Sequence, residues 1–155
     1  MLGNWYLPSE KSGIFPLVIS LGNPQQDPTE IKLSGKPIVV AYAPHAQLID
    51  RSSLVITHGG MNTVIGSLSA GVPLVVIPIT NEQPGIATRL VRTGAGEMIS
   101  LKQLNVPVLK QAISQVLGDV RYKERATVMQ QVIQTSGGVK RAADLIISAQ
   151  NSSVS

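Results

Sequence analysis

The sequence predicts an α/β fold, a Rossmann-like and mostly parallel sheet flanked by helices. Three observations carry that prediction. Short branched-aliphatic runs recur at residues 17–21, 38–42, 54–57 and 74–77, and they suit strands buried on both faces. Helical spacings fall between and after them, and strands alternating with helices imply a parallel sheet covered on both sides. Finally, 43% of the 155 residues are hydrophobic and only 14% are charged, enough for one domain with a true core. Phe15 is the only phenylalanine and Trp5 the only tryptophan, so that core must be aliphatic.

Taken in order, Trp5, Tyr6 and Leu7 are apolar but stop at Pro8, and residues 9–13 read as a loop. Residues 17–21 form a strand closed by Gly22-Asn23-Pro24. Turn signals at Asp27-Pro28 and Ser34-Gly35 make residues 25–36 a loop with at most a short helix. The strand at 38–42 leads through Pro44 into a short helix at 45–50, which brings Leu48 and Ile49 to the core. The strand at 54–57 is broken by His58-Gly59-Gly60. Residues 61–70 then carry Met61, Val64, Ile65 and Leu68 at helical spacing. Gly71 is placed to end that helix, and Pro73 lies just beyond. After the strand at 74–77, residues 83–93 read as a helix with Ile86, Ala87, Leu90 and Val91 inward, closed by Gly94 and Gly96. A short edge strand follows at 97–99. Further helices are expected at 106–117 (Val108, Leu109, Ala112, Ile113, Val116, Leu117), at 122–133 (Ala126, Met129, Val132, Ile133 on one face) and at 139–149, beyond Gly137-Gly138. Residues 151–155 are a frayed tail. No repeat or linker divides the chain, so residues 1–155 are expected to form a single domain with an atypical segment at 1–15.

Composition narrows the function. The formal charge is +4, without a long basic run, which suits a small anionic ligand. Nucleic acid is not expected as a partner, because base-stacking aromatics are scarce and no basic helix stands out. The chain has no cysteine, which excludes disulfides and thiol chemistry. With His45 and His58 as the only histidines, no dedicated zinc site is expected. No apolar run reaches the ~20 residues that span a bilayer. The start lacks the basic region and apolar core of a signal peptide. A cytoplasmic location is expected.

The chain is organised around residues 53–83, read as strand, glycine turn, helix, strand. A parallel pair joined by a helix crosses over right-handed, which puts the glycine turn at the carboxyl end of the sheet, where ligands bind in open α/β folds. The first N–H groups of a helix have no intrahelical partner and carry the positive end of its dipole. Glycines let an anion approach them closely. His58, Gly59, Gly60, Asn62 and Thr63 therefore suit a phosphate cradle. They also suit a tight turn in which Asn62 or Thr63 caps a helix.

The run Thr57-His58-Gly59-Gly60-Met61-Asn62-Thr63, then Ala70-Gly71-Val72-Pro73-Leu74, Ile77-Pro78 and Glu82-Gln83, resembles the donor-binding half of a GT-B glycosyltransferase. It is most similar to the UDP-glycosyltransferase family that includes macrolide, carotenoid and plant secondary-product glucosyltransferases. The likeness covers roughly residues 17–147. It implies that His58, with Gly59, Gly60, Asn62 and Thr63, binds the donor diphosphate. It implies that Glu82 and Gln83 hold sugar hydroxyls; a polar turn opening the next helix is the plainer reading of that pair. Tyr42-Ala43-Pro44-His45 resembles the family's Trp-x-Pro-Gln, which places Tyr42 and His45 at the nucleobase. Ser20 and Gly22 lie at a strand end facing the same edge, within reach of phosphate if that strand is central.

By resemblance the complete enzyme is an inverting, metal-independent hexosyltransferase that uses a UDP-sugar such as UDP-glucose as substrate, with no cofactor and no metal expected. An acceptor-side base would lie outside this chain, so no catalytic residue is assigned within it. The expected partner is the absent acceptor-binding domain or subunit. The isolated chain is expected to bind donor and transfer sugar poorly. Alternatives are a non-catalytic donor-binding subunit and an inactive remnant. One departure matters: the family has a strand, a loop and a long helix before the strand at 17–21, whereas only fifteen residues precede Pro16. That leaves a central gap. Residues 17–21 are expected to move into it, ahead of a makeshift strand from residues 4–7 or a strand from another chain. An edge left open would favour homo-oligomers.

Overall fold

The computed structural model describes residues 4–8, 17–30 and 37–152, and of residues 4–8 and 151–152 the backbone alone. The expected loop at 9–13 and the last residues of the tail lie outside that range. The elements are β1 (Asn4–Pro8), β2 (Val18–Ser20), β3 (Ile38–Val40), α1 (His45–Asp50), β4 (Ser52–Thr57), α2 (Met61–Ser69), β5 (Leu74–Val76), α3 (Gln83–Thr93), β6 (Gly96–Met98), α4 (Val106–Gly118), α5 (Val120–Thr135) and α6 (Gly138–Ser152). A short 3₁₀ turn at Pro28–Glu30 is the one helical piece between β2 and β3 among the described residues.

The strands form one sheet in the order β3-β2-β1-β4-β5-β6. β2 pairs with β3, β4 with β5 and β5 with β6 in parallel. β1 runs antiparallel to both of its neighbours, with Tyr6 opposite Val18 on one side and Val55 on the other. This corrects the expectation for the central gap. Residues 17–21 stay one place out, as β2, and residues 4–8 fill the slot. The direction follows from the connection. A parallel neighbour needs a crossover of a dozen or more residues, whereas the short link from Pro8 to Val18 permits only a hairpin-like return.

Both faces of the sheet are covered, as the aliphatic strands require. On β4, Val55 points to one face and Leu54 and Ile56 to the other, and all three are buried. Val55, Leu74 and Val76 pack with Val64, Leu68, Ile86, Leu90 and Ala126, which come from α2, α3 and α5. Leu54, Ile56 and Val75 pack with Ala112 and Val116 of α4. Ile49 is buried and Leu48 packs beside the first of these clusters, as expected.

Three helices bury a narrower stripe than their periodicity suggests. On α2, Val64, Ser67 and Leu68 are buried, whereas Met61 and Ile65 are 42% and 46% exposed. Met61 opens the helix beyond the end of the sheet. Ser67 takes an inward place because its hydroxyl donates to the Thr63 carbonyl at 2.8 Å. Val91 of α3 and Val132 of α5 are likewise exposed, flanking inward rows that consist of Ile86, Ala87 and Leu90 on α3 and of Ala126, Met129 and Ile133 on α5. Every α6 side chain described is exposed, including Leu145, Ile146 and Ile147.

The end of α2 is built as a Schellman motif. The Val72 N–H donates to Ser67 O at 2.8 Å and the Gly71 N–H to Leu68 O at 3.0 Å, so Gly71 ends the helix as the sequence suggests. From α5, Lys123 Nζ donates to Gly71 O at 2.6 Å and Gln130 Nε2 to Ser69 O at 3.0 Å. The far end of α2, which faces the candidate site, is therefore carried on an anchored helix.

Candidate functional site

β2, β3, β4, β5 and β6 share one direction, so the segments that follow them gather along one edge of the sheet. Tyr42 and His45 follow β3, His58 to Thr63 follow β4, and Glu82 and Gln83 follow β5. The fold thus brings all the expected site residues to the carboxyl edge.

Gly59 joins two of these groups. It has φ 93°, and a Cβ there would lie 2.7 Å from Val76 Cγ1 and 3.8 Å from Gln83 Cβ. Only glycine suits both the backbone angle and the space. The close approach sets the start of α2 directly against the start of α3. His58 is half-buried, and a Cβ on Gly60 would meet its Nε2 at 3.0 Å. The imidazole therefore lies over the mouth of α2.

The helix start itself is open. Gly60 is the N-cap, and no side chain caps the helix. The Gly60 carbonyl accepts from Thr63 N and Val64 N. Among the described residues, nothing accepts from the Met61 or Asn62 N–H. The reading in which Asn62 or Thr63 caps α2 is not met. Asn62 is exposed at the first turn, and neither its amide nor the Thr63 hydroxyl has a hydrogen-bond partner there. What remains is a set of free donors with an imidazole beside them, a shape suited to an anion.

At α3, Glu82 is the N-cap and is exposed, without a side-chain cap bond. Gln83 Oε1 accepts from Ile79 N at 2.8 Å and Thr80 N at 3.1 Å. It ties down the loop that holds Asn81, which has φ 55° and is the one non-glycine residue with positive φ among those described. Asparagine tolerates that conformation. Sequence reading missed this clamp, because the direction of an amide depends on which N–H groups lie within reach in the folded chain.

Tyr42 is 58% exposed and meets His45 edge to face, with ring centroids 6.3 Å apart and an interplanar angle of 61°. Tyr42 is thus not a core tyrosine, and its ring offers an open surface. Ser20 behaves differently. It is 1% exposed, and its hydroxyl has no hydrogen-bond partner. β2 is not central and the hydroxyl is enclosed, so the condition attached to Ser20 as a phosphate contact is not met. Gly22 lies in the exposed turn that follows.

Among the described residues, no three histidine or acidic side chains are grouped to hold a metal ion, and no helix is long and apolar enough to cross a membrane. Residues 7–146 match the glycosyltransferase family 28 C-terminal domain. The chain belongs to that family. It is 38% identical over 112 residues to an uncharacterized UDP-glucosyltransferase, YojK, of Bacillus subtilis, covering 72% of this chain and 28% of the relative. It is 37% identical to the zeaxanthin glucosyltransferase of Pseudescherichia vulneris, covering 72% of this chain and 27% of that protein. Among solved structures it resembles CalG4, the calicheamicin glycosyltransferase, with TM-score 0.74 and 28% identity over 84% of this chain and 34% of that one. The chain therefore spans about a third or less of the relatives it matches. This glycosyltransferase domain is α/β, one half of a GT-B fold, as expected from its motifs.

Proposed function

We propose that this glycosyltransferase domain binds a UDP-sugar donor whose hexosyl group is transferred to an acceptor hydroxyl. The observation that supports it best is the nearness of Gly59 to Gln83, where a Cβ on the glycine would lie 3.8 Å from Gln83 Cβ. It sets the open helix start beside the Glu82–Gln83 pair, so that a diphosphate on the one has its attached sugar next to the other. The diphosphate lies on the N–H groups of Gly60, Met61 and Asn62, with His58, Asn62 and Thr63 donating from their side chains. Glu82 and Gln83 hold the sugar. The base stacks on Tyr42 beside His45, with less contact area than a tryptophan offers.

In transfer, the acceptor oxygen attacks the anomeric carbon in line and inverts it, while the bond to the diphosphate oxygen breaks. The helix N-terminus and His58 stabilise the charge that grows on the leaving diphosphate. A base outside this chain takes the acceptor's proton. The chain covers only 28% of its relative YojK, and we place the acceptor half and its base in a separate domain or subunit. The isolated chain then binds donor and transfers sugar slowly.

Calorimetric titration with UDP and UDP-glucose tests the donor site. Both are expected to bind. His58→Ala should weaken UDP-glucose binding about tenfold, the worth of one charge-assisted contact, with the melting temperature nearly unchanged. A collapse of stability with unchanged affinity would make His58 structural.

A further inference from the structure

The two ends of α2 are treated differently. At its start, the Met61 and Asn62 N–H groups have no acceptor among the described residues. At its finish, the carbonyls are taken up. Ser67 O accepts from Val72 N and Leu68 O from Gly71 N. Two side chains of α5 reach the carbonyls beyond them, Gln130 Nε2 donating to Ser69 O at 3.0 Å and Lys123 Nζ to Gly71 O at 2.6 Å. Both donors stand on one face of α5, with the fully buried Ala126 between them, a spacing that aligns side chains along a helix. The approach is tight: a Cβ on Gly71 would meet Gln130 Oε1 at 3.0 Å.

Of the two donors only Lys123 brings a charge. Among the described residues no carboxylate pairs with it, and Asp119 at the start of the same helix is taken by Arg121 at 2.6 Å. The ammonium is therefore offered to the negative pole of α2. A helix end carries roughly half an elementary charge. Left bare, the negative end would repel an anion held at the other end, ~15 Å away along the helix. Resting on the donor-site reading above, we infer that Lys123 is a positioning residue for the donor diphosphate. It acts through α2, at the end opposite the mouth. It fixes that end and offsets its negative pole, so that the free N–H groups at the mouth hold the anion more tightly. Lys123 is exposed, and water screens part of its charge, which keeps the effect modest.

The test titrates the whole chain with UDP by calorimetry. Lys123→Met keeps the aliphatic stem and removes the charge and the hydrogen bond. It should weaken UDP binding about threefold and shift the Met61 and Asn62 amide resonances of the unliganded chain. Lys123→Arg restores the charge and should restore the affinity. Gln130→Met removes the neutral bond to Ser69 O from the same helix. It should lower the melting temperature about as much as Lys123→Met, while UDP binding stays near that of the parent chain. Unchanged UDP affinity or unmoved resonances in Lys123→Met overturn the inference, as does a failure of Lys123→Arg to recover binding. Equal losses of affinity in Lys123→Met and Gln130→Met also overturn it, because binding would then follow stability and not charge. Each of these results leaves the diphosphate site standing. If the parent chain does not bind UDP, the donor-site reading itself fails, and the inference with it.

Discussion

The two halves of the sheet are built to different standards. From β4 to β6, strand and helix alternate in close register with the sequence pattern, and Leu54, Val55, Leu74, Val75 and Val76 are fully enclosed. From β1 to β3 the strands are short, one of them is reversed, and the outer strand carries Ile38 at 54% exposure. The first half is defined by contacts between sequence neighbours, each strand packed against the helix that follows it. The second is defined by a slot between β2 and β4 that some segment had to occupy. Local pattern specifies a βαβ unit well, because its strands and helix bury one another. It specifies the occupant of a slot poorly, because pairing across a sheet joins residues far apart in sequence.

Substitutions can break or sharpen this contrast. Leu74→Ala removes an enclosed side chain from the centre of the better half and should cost about 3 kcal/mol. Ile38→Ala on the outer strand should cost less than about 1 kcal/mol. Urea titrations of the two variants that gave equal losses would erase the difference between the halves. Tyr6→Pro tests the reversed strand. Tyr6 sits in ladders on both sides, opposite Val18 and Val55, and proline in a central strand deletes a ladder donor. The expected cost is about 2 kcal/mol or more, read from the same titrations. An unchanged midpoint would mean that β1 does not hold the two halves together.

The smallest effect concerns pH. At the β6 side, Glu97 accepts a short hydrogen bond from the Tyr122 hydroxyl, which also accepts from Gln115 Nε2 at 2.6 Å. Burial, and then Glu97, push the Tyr122 pKa above its ordinary value of 10.0. A raised folded value means that the neutral phenol is favoured in the native state. Its contribution is complete below the unfolded value and is lost as pH rises through the folded one. Stability should therefore decline above about pH 10, and Tyr122→Phe should flatten that decline. Thermal melts over the alkaline range read both slopes, and parallel slopes would show that Tyr122 does not contribute.

The sequence by itself determined the aliphatic core, the helix and strand order after Ile38, and the motif at the end of β4. Those depend on spacing and turn chemistry within a few residues. It also placed the site residues on one edge, because a parallel βαβ unit has one allowed handedness. The tertiary structure alone decided three things. It filled the central slot with residues 4–8 and, through a short connection, reversed them. It narrowed the buried stripes of α2, α3 and α5, since a helix against a sheet covers fewer positions than its apolar residues offer. And it turned the oxygen of Gln83 onto the backbone of Ile79 and Thr80. An amide's direction depends on which N–H groups lie within 3 Å of it in the folded chain, and spacing along the chain does not carry that information.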